Sequence, residues 1–266
     1  MKIGAQLYTL REHTQTTADF AATIKKVAQI GYQYVQVSGI GPIHPQDVAD
    51  ICKSHGISIP ITHTSPARIK DDTDAVIAEH RIIGAEYIGI GAIPGEYGCN
   101  KEGVRRFIAE YTPVAEKIRN AGMTLMYHNH DFEFEKYDGK LMLSYLIEEF
   151  PSLGFTLDTY WVQAGGADPA QWIKSLTGRV DVLHLKDMAW TGGKQLMAEV
   201  MEGNLNWESI FAACPQARVK YAMVEQDDCY GQDPFECLKK SYTNLQARVC
   251  HVKNTRKSAV IPSLIP

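Results

Sequence analysis

A short pattern that recurs along the chain constrains its fold more than any other feature. A helix-like segment ends at a glycine, and a run of apolar and β-forming residues follows, as at Gly31, Gly56, Gly84 and Gly122. Glycine at such a point is typical of the left-handed residue that ends an α-helix. The runs are mostly apolar without alternation, which is typical of parallel strands covered on both faces. The sequence therefore indicates strands that alternate with helices.

Eight strands and eight helices are predicted when this pattern is followed through the sequence. Such an alternation within 266 residues favours an α/β fold in a single domain, a closed (β/α)8 TIM barrel, over an open doubly wound sheet. The sequence also lacks the glycine-rich phosphate loop that open sheets often carry. Strands are expected near residues 2–8, 33–38, 58–63, 86–91, 124–129, 154–158, 181–186 and 221–225. Helices are expected near residues 17–30, 45–54, 73–83, 102–121, 140–150, 169–176, 207–214 and 234–247.

The C-terminal stretch does not follow the repeat. Residues 1–247 are assigned to the barrel, and residues 248–266 form a basic tail with a proline-containing apolar end. We expect this tail either to pack on a neighbouring subunit or to be disordered, as chain termini often are. The sequence leaves open whether the protein is a homo-oligomer.

The overall charge argues against polyanionic partners. A net charge of -4 gives no positive field that would draw the protein to nucleic acid or to an anionic membrane. No apolar run is long enough to span a bilayer, and the N-terminus lacks the apolar segment of a signal peptide. We therefore expect a cytoplasmic protein with a small-molecule partner, and neither nucleic acid nor membrane binding.

Three predicted strands end in side chains that can bind a metal ion, namely Asp158, His184 and Glu225. Because the carboxyl ends of parallel barrel strands open on one face, these side chains are expected to converge. Burying such charges without a partner is costly, which favours a bound cation. Mixed carboxylate and histidine ligands suit Mn, Mg, Co or Zn, so we predict one divalent metal ion. Taken alone, Asp158 could instead cap the following helix, and His184 could be a hydrogen-bonded core residue.

The segment Met126-Tyr-His-Asn-His-Asp-Phe-Glu133 offers two candidates for a fourth metal ligand. His128 stands at the strand end, and strand alternation puts His130 on the same face. Glu133 lies in the loop that follows. We predict that Glu133 curls back to bind the metal, which leaves the histidines free to bind substrate. In the alternative, His128 is the ligand and Glu133 is a free acid or base.

Taken together, these motifs resemble those of the xylose isomerase-like TIM barrels, also called the sugar phosphate isomerase/epimerase family, over about residues 1–247. In that family a Glu, Asp, His and Glu quartet binds one divalent cation, and two of the carboxylates commonly move protons on opposite faces of a keto-sugar. Here His128 stands where the first glutamate of the family is expected. The resemblance is carried by His128-Asn-His-Asp-Phe-Glu133, Leu157-Asp-Thr-Tyr-Trp161, His184-Leu-Lys-Asp187, Gly203-Asn-Leu-Asn-Trp207 and Glu225.

The resemblance implies a metal-dependent isomerase or epimerase of a small sugar or keto-sugar. The cation would stabilise the enediolate that forms when a proton next to a carbonyl is abstracted. Glu133 and Glu225 are the expected acid and base. Lys186 either supplies charge to the developing oxyanion or forms a salt bridge with Asp158 or Glu225.

Further side chains near the predicted strand ends are candidates for binding the substrate. Barrel packing or turn formation would explain each of them equally well. Trp161 offers an apolar face to a sugar ring. The candidates for binding sugar hydroxyls are Gln6, Tyr8, His63, His128 and His130.

Three other functions stay open. A keto-sugar dehydratase or lyase would use the same enediolate chemistry. A non-catalytic sugar-binding barrel would keep the site but not the turnover. An apurinic-site endonuclease on the same barrel would carry a trinuclear zinc cluster, but Trp161 stands where the histidine for its second metal is expected. The net negative charge also argues against a nuclease.

Overall fold

Parallel strands close into a barrel in the computed structural model, which describes residues 1–258, with side chains up to Arg248. Helices lie between the strands, so the predicted single-domain (β/α)8 TIM barrel is confirmed. Each of the predicted strand positions overlaps one strand of the barrel. The strands are β1 (Lys2–Gln6), β2 (Tyr34–Val37), β3 (Ser58–His63), β4 (Tyr87–Ile90), β5 (Thr124–His128), β6 (Gly154–Asp158), β7 (Val182–Leu185) and β8 (Tyr221–Val224).

The helices form the outer layer, and each predicted helix overlaps an observed one. Two short helices, α3 and α7, are additions that the sequence pattern did not predict. The helices are α1 (Thr17–Ile30), α2 (Pro45–Ser54), α3 (Pro66–Asp71), α4 (Thr73–Ile83), α5 (Lys101–Asn120), α6 (Met142–Glu149), α7 (Thr159–Ala164), α8 (Pro169–Ser175), α9 (Trp207–Ala217) and α10 (Pro234–Ser258). Within residues 1–258, no helix combines the length and the apolar composition needed to cross a membrane.

The interior of the barrel changes from apolar to polar along the strands. Met126, Val182 and Met223 belong to a buried apolar cluster inside the barrel. Because side chains on a strand alternate between faces, the residue two positions further along each strand points to the same interior. Those residues are His128, His184 and Glu225. The alternation that places apolar side chains inside the barrel therefore also places polar side chains at its carboxyl-terminal end, which we call the mouth.

The first strand is shorter than predicted. β1 ends at Gln6, and residues Leu7–His13 form a 3-10 helix, so Tyr8 lies on this helix and not on the strand. The cause is local, because the Gln6 side chain accepts a hydrogen bond from the Tyr8 backbone N–H at 2.7 Å. This contact caps the turn and ends the extended conformation.

A β-hairpin follows β7 and was not predicted. It pairs Asp187–Thr191 with Lys194–Ala198. The Asp187 carboxylate anchors the next loop, because it accepts hydrogen bonds from the backbone N–H of Gly203 at 2.9 Å and the indole of Trp207 at 2.7 Å. A Cβ on Gly203 would lie 2.5 Å from Asp187 Oδ1, so this close approach needs glycine. Within the motif His184-Leu-Lys-Asp187, Asp187 therefore has a structural role, because it anchors the loop that contains Gly203.

The last helix passes the predicted boundary at residue 247. α10 continues to Ser258, so the first part of the expected tail is helical. Residues 259–266 lie outside the described residues. The interpretation of the tail as an interface arm or a disordered segment stays a prediction.

Candidate active site

Four polar side chains converge at the mouth of the barrel. His128 ends β5, Asp158 ends β6, His184 lies on β7 and Glu225 directly follows β8. One potential ligand atom from each lies within 4.8 Å of the others, and all four residues are buried. We call them the mouth cluster. The strand ends therefore bring together the three side chains that the sequence singled out, with His128 as the fourth.

Glu133, the preferred fourth ligand, lies outside the mouth cluster. It is fully buried on a 3-10 turn, Phe132–Phe134. Its carboxylate accepts hydrogen bonds from the Tyr127 hydroxyl at 2.6 Å and from the His130 backbone N–H at 2.7 Å. These two donors fix the side chain outside the mouth cluster. Glu133 is thus not part of the group that could hold a metal ion, whereas His128, the alternative fourth ligand, is part of it.

Hydrogen bonds behind the two histidines set which ring nitrogen faces the cluster. His128 Nδ1 lies 3.0 Å from the Gly91 carbonyl, which can only accept, so Nδ1 carries the proton. Its Nε2 then points a lone pair at Asp158 Oδ2, 3.2 Å away. In the assigned orientation of the Gln36 amide, His184 Nε2 donates to Gln36 Oε1 at 2.8 Å. His184 Nδ1 is thereby left to face the cluster.

Atoms that carry lone pairs face one another in this cluster. His184 Nδ1 and Glu225 Oε2 lie 2.8 Å apart, yet neither makes a hydrogen bond of normal geometry. His184 Nδ1 is also 3.7 Å from Asp158 Oδ2. Converging acceptors of this kind favour a positive charge between them, which a proton on His184 or a bound cation can supply. Carboxylates and imidazoles, each held from behind by a second hydrogen bond, are the donor set of a divalent-metal site, so these residues fit such an ion.

Lys186 brings a fixed positive charge to the edge of the cluster. Its ammonium lies 3.2 Å from Asp158 Oδ2, 2.9 Å from Glu225 Oε2 and 3.0 Å from Asp227 Oδ2. Burial opposes the charged form, but the surrounding carboxylates outweigh it and hold the pKa of Lys186 above its usual value. The salt bridges expected as one alternative for this residue are therefore present.

The electrostatics of the mouth keep its carboxylates ionised. Burial would raise the pKa of both Asp158 and Glu225, but Lys186 and the neighbouring histidines outweigh it and hold both values well below normal. Burial lowers the pKa of His128. For His184, burial is outweighed by Glu225 and Asp158, which raise its pKa to about 9. In the metal-free protein His184 therefore takes up a proton where a cation would sit.

Asp158 has two roles at once. Its Oδ1 accepts hydrogen bonds from the backbone N–H groups of Tyr160 at 2.9 Å and Trp161 at 3.0 Å, which caps helix α7. Its Oδ2 is the atom that faces the histidines and Lys186. The helix-capping interpretation and the cluster interpretation of this residue are therefore both correct, one for each oxygen.

A cavity of about 720 Å³ opens above the mouth cluster. This volume is in the usual range of small-molecule sites. Gln6 is held against the cluster, because its amide donates to Glu225 Oε1 at 3.0 Å. Trp161 stands beside His130, with ring centroids 5.2 Å apart. The predicted substrate-binding residues that line the cavity are Gln6, Tyr8, His63, His128 and His130.

Two residues of the site were not predicted. Gln36 lies one residue before the end of β2, but an amide alone gives no metal signal. Asp227 lies two positions after Glu225 and shares the charge of Lys186 with hydrogen bonds of 3.0 and 3.1 Å. Its position in an acidic stretch after a strand was the available sequence signal.

Comparisons with known proteins agree with this architecture. A family model described as a xylose isomerase-like TIM barrel matches residues 24–227. No curated protein matches the sequence.

Solved structures share the fold at low sequence identity. A sugar phosphate isomerase/epimerase from Parabacteroides distasonis ATCC 8503 is 24% identical with a TM-score of 0.77, over 92% of this chain and 97% of that chain. An L-ribulose 3-epimerase is 15% identical with a TM-score of 0.74, over 100% of both chains. A probable 3-DHS dehydratase from Bacillus anthracis is 14% identical with a TM-score of 0.69, over 92% of this chain and 99% of that chain.

Proposed function

Since the chain belongs to the xylose isomerase-like TIM barrel family, we propose that it is a metal-dependent isomerase or epimerase of a small sugar or keto-sugar. The observation that carries this proposal is the mouth cluster, in which four buried ligand atoms lie within 4.8 Å of one another. The cluster lies at the carboxyl ends of the strands, where the active sites of TIM-barrel enzymes are built. Sugar epimerases are among the proteins of similar fold.

The residues that would hold a divalent ion are His128, Asp158, His184 and Glu225. When bound, the ion would supply Lewis-acid polarisation of a substrate carbonyl, which makes the neighbouring C–H more acidic. The hydrogen bond from His184 to Gln36, at 2.8 Å, fixes the imidazole in an orientation that would suit such an ion.

Glu225 is the group that we assign to proton abstraction. It lines the cavity, and Gln6 holds its Oε1 at 3.0 Å. Because Lys186 and His184 keep its pKa well below normal, Glu225 is ionised and can accept a proton at neutral pH. Lys186 also lines the cavity and places its positive charge where negative charge would develop on the substrate oxygen.

We do not assign Glu133 to direct proton transfer, contrary to the prediction from the sequence. Both of its oxygens accept hydrogen bonds from neighbouring protein groups, and it does not line the cavity. Burial raises the pKa of Glu133 to about 7. Its proposed role is to fix the backbone of His130, which does line the cavity.

A dehydratase or lyase is the second candidate, and the contact between Glu225 and Lys186 favours it. The carboxylate and the ammonium are 2.9 Å apart. In an elimination, Glu225 would take the proton next to the carbonyl while Lys186 would give a proton to the departing hydroxyl, which leaves as water. One probable dehydratase has a similar fold.

The endonuclease alternative receives little support. Among residues 1–248, whose side chains the structure describes, one group of side chains could hold a metal ion, whereas a trinuclear cluster needs further ligands. Trp161 occupies the place of one of these ligands. We expect about one divalent ion per chain by elemental analysis of the purified protein. A value near three would instead favour the nuclease.

Deuterium exchange tests the proposed reaction. Metal-loaded protein is incubated in heavy water with ketoses, aldoses and 3-keto-glycosides, and carbon-bound deuterium is measured by mass spectrometry. We expect incorporation next to a carbonyl with at least one sugar. Glu225→Gln should lower the rate about 10³-fold, within the usual range for loss of a general base. Asp181→Asn, at the opposite end of the barrel, serves as the matched control and should stay near the wild-type rate.

The outcomes separate the candidate functions. Exchange with loss of water indicates the dehydratase or lyase. Binding of sugar without exchange, unaffected by Glu225→Gln, indicates a non-catalytic sugar-binding barrel. No exchange with any sugar would count against the isomerase and the epimerase alike.

A further inference from the structure

We infer that the ligand of the mouth cavity is an uncharged, unphosphorylated polyhydroxy sugar, and that His63, His130 and Trp161 recognise its hydroxyl groups. This inference rests on the proposed function only in taking the cavity as the substrate site. It names the class of substrate, which neither the family nor the fold determines.

The cations of the cavity are already engaged. Among the described residues that line it, Arg11 and Lys186 are the cationic ones. Lys186 is held by three carboxylates at 2.9 to 3.2 Å. Arg11 donates from one nitrogen, Nη1, to the carbonyls of Tyr8 at 2.9 Å and Asp227 at 3.0 Å, and its guanidinium lies over the Tyr8 ring. A phosphate dianion usually requires unengaged arginine or lysine donors, and this wall offers few of them.

Negative charge on the same wall would also oppose a phosphate. Glu96, Glu225 and Asp227 line the cavity together with the two cations. Helix α3 begins on this wall, but Pro66 at its first position has no N–H to offer an anion. The helix is also only six residues long. The local charges therefore favour a neutral ligand.

Neutral polar groups, by contrast, are left without partners at the mouth. His63 Nε2, His130 Nδ1 and Trp161 Nε1 are buried atoms that make no hydrogen bond. His63 and His130 line the cavity, and Trp161 lies outside the lining but beside His130, with ring centroids 5.2 Å apart. Unpaired buried polar atoms are uncommon in folded proteins, and a ligand that pairs them is a usual reason for their presence. The rings also lie close together, since the centroids of His63 and His130 are 5.3 and 4.8 Å from that of His128.

The histidines among these groups, His63 and His130, line the cavity, and each has one buried ring nitrogen without a hydrogen bond. A neutral imidazole offers one donor and one acceptor, which matches a hydroxyl group, and the indole N–H is a donor only. Neighbouring hydroxyls of a sugar can therefore pair with all of these atoms, whereas a phosphate oxygen can only accept.

Binding measurements test the substrate class directly. The probes are D-fructose and D-fructose 6-phosphate, with L-ribulose and L-ribulose 5-phosphate as a second pair, titrated into the metal-loaded protein by calorimetry. We expect the free sugar of at least one pair to bind at least about tenfold more tightly than its phosphate. Tighter binding of the phosphates, or no binding of any probe, would overturn the inference.

Variants of the three aromatic residues test which side chains bind the sugar. His63→Phe and His130→Phe keep an aromatic ring and remove the nitrogens, so each should weaken binding of the free sugar about tenfold while the metal content stays unchanged. Trp161→Phe removes one N–H and gives a second test if a histidine variant does not fold. His13→Phe, at an exposed site, is the matched control. Unchanged sugar affinity in all three variants would contradict the assignment.

The test also distinguishes this inference from the proposed function. If free sugars bind through these residues but no deuterium is exchanged, the substrate class stands and the enzyme assignment fails. If phosphorylated sugars bind and exchange deuterium, the enzyme assignment stands and the substrate class fails.

Discussion

The two ends of the barrel both carry charged side chains, but they use them differently. At the mouth, Lys186 is 1% exposed and meets carboxylates that are themselves almost fully buried. At the opposite end, Lys220 lies 3.0 Å from Asp181, and its side chain is 54% exposed. Tyr87 completes that group by donating its hydroxyl to Asp181 at 2.8 Å.

The difference lies in how completely each group is satisfied. Every polar atom of the Lys220 group has a partner or contacts water, so the group adds modest stability and needs no ligand. The mouth cluster instead holds groups that face one another as acceptors unless a proton or a cation lies between them, with charges that are costly to bury. The charged side chains at the amino-terminal end of the barrel thus contribute to the stability of the fold, whereas those at the mouth are arranged as they would be for a bound ligand.

The largest expected contrast is in the two lysines. Lys186→Met leaves buried carboxylates without their cation, so it should lower the free energy of unfolding of the metal-free protein by about 3–5 kcal/mol. Lys220→Met removes an exposed pair and should cost about 0–1 kcal/mol. Urea unfolding in the presence of a chelator measures both. Equal losses in the free energy of unfolding for Lys186→Met and Lys220→Met would contradict the proposed difference between the two ends of the barrel.

A smaller effect is expected behind the cluster. Gln36→Leu removes the acceptor that holds His184 Nε2 while keeping the bulk of the side chain. Because such partners orient metal-binding histidines, divalent-ion affinity should fall about 10- to 100-fold. Gln29→Leu, on the exposed face of α1, is the control. Calorimetric titration with Mn²⁺ or Zn²⁺ gives the affinities, and identical values for wild type and Gln36→Leu would show that the orientation of His184 does not depend on this contact.

The smallest expected effect is the change in ion affinity with each pH unit. His184 has a pKa of about 9 in the metal-free protein, so below this value a proton must leave before an ion can bind. Apparent affinity should therefore rise about tenfold per pH unit up to about 9 and then level off.

The stability of the metal-free protein should change in the opposite direction. A pKa raised by folding stabilises the protein below the unfolded value of about 6.5, and this contribution is lost as the pH rises toward 9. Thermal unfolding between pH 6 and 9 with a chelator measures it. In the ion titrations, an affinity for Mn²⁺ or Zn²⁺ that does not change between pH 6 and 9 would show that His184 is not a ligand.

Much of the architecture could be predicted from the sequence. Apolar runs, four of them directly after a glycine at a helix end, are local signals, and they predicted a strand at the position of each barrel strand. Asp158, His184 and Glu225 were found in the same way, because each ends a strand. The closure of parallel strands then brings these ends together without further information.

The remaining parts depend on contacts between distant residues. Glu133 could reach the cluster by loop length alone, but its conformation is decided by Tyr127 and the His130 backbone. The hairpin after β7 depends on pairing between short segments with no strong periodicity. The role of Gln36 comes from a residue far away in the sequence, His184, which no local pattern reveals.

The two oxygens of the Asp158 carboxylate have different partners, which limits the ions that the site could bind. Because Oδ1 is fixed by two backbone N–H groups of α7, the carboxylate cannot swing to offer both oxygens to a larger cation without fraying that helix. Single-oxygen contact suits small ions with few ligands, and calcium, which prefers six to eight oxygens, is disfavoured. If the site holds an ion as proposed, the start of this six-residue helix would limit the size of that ion.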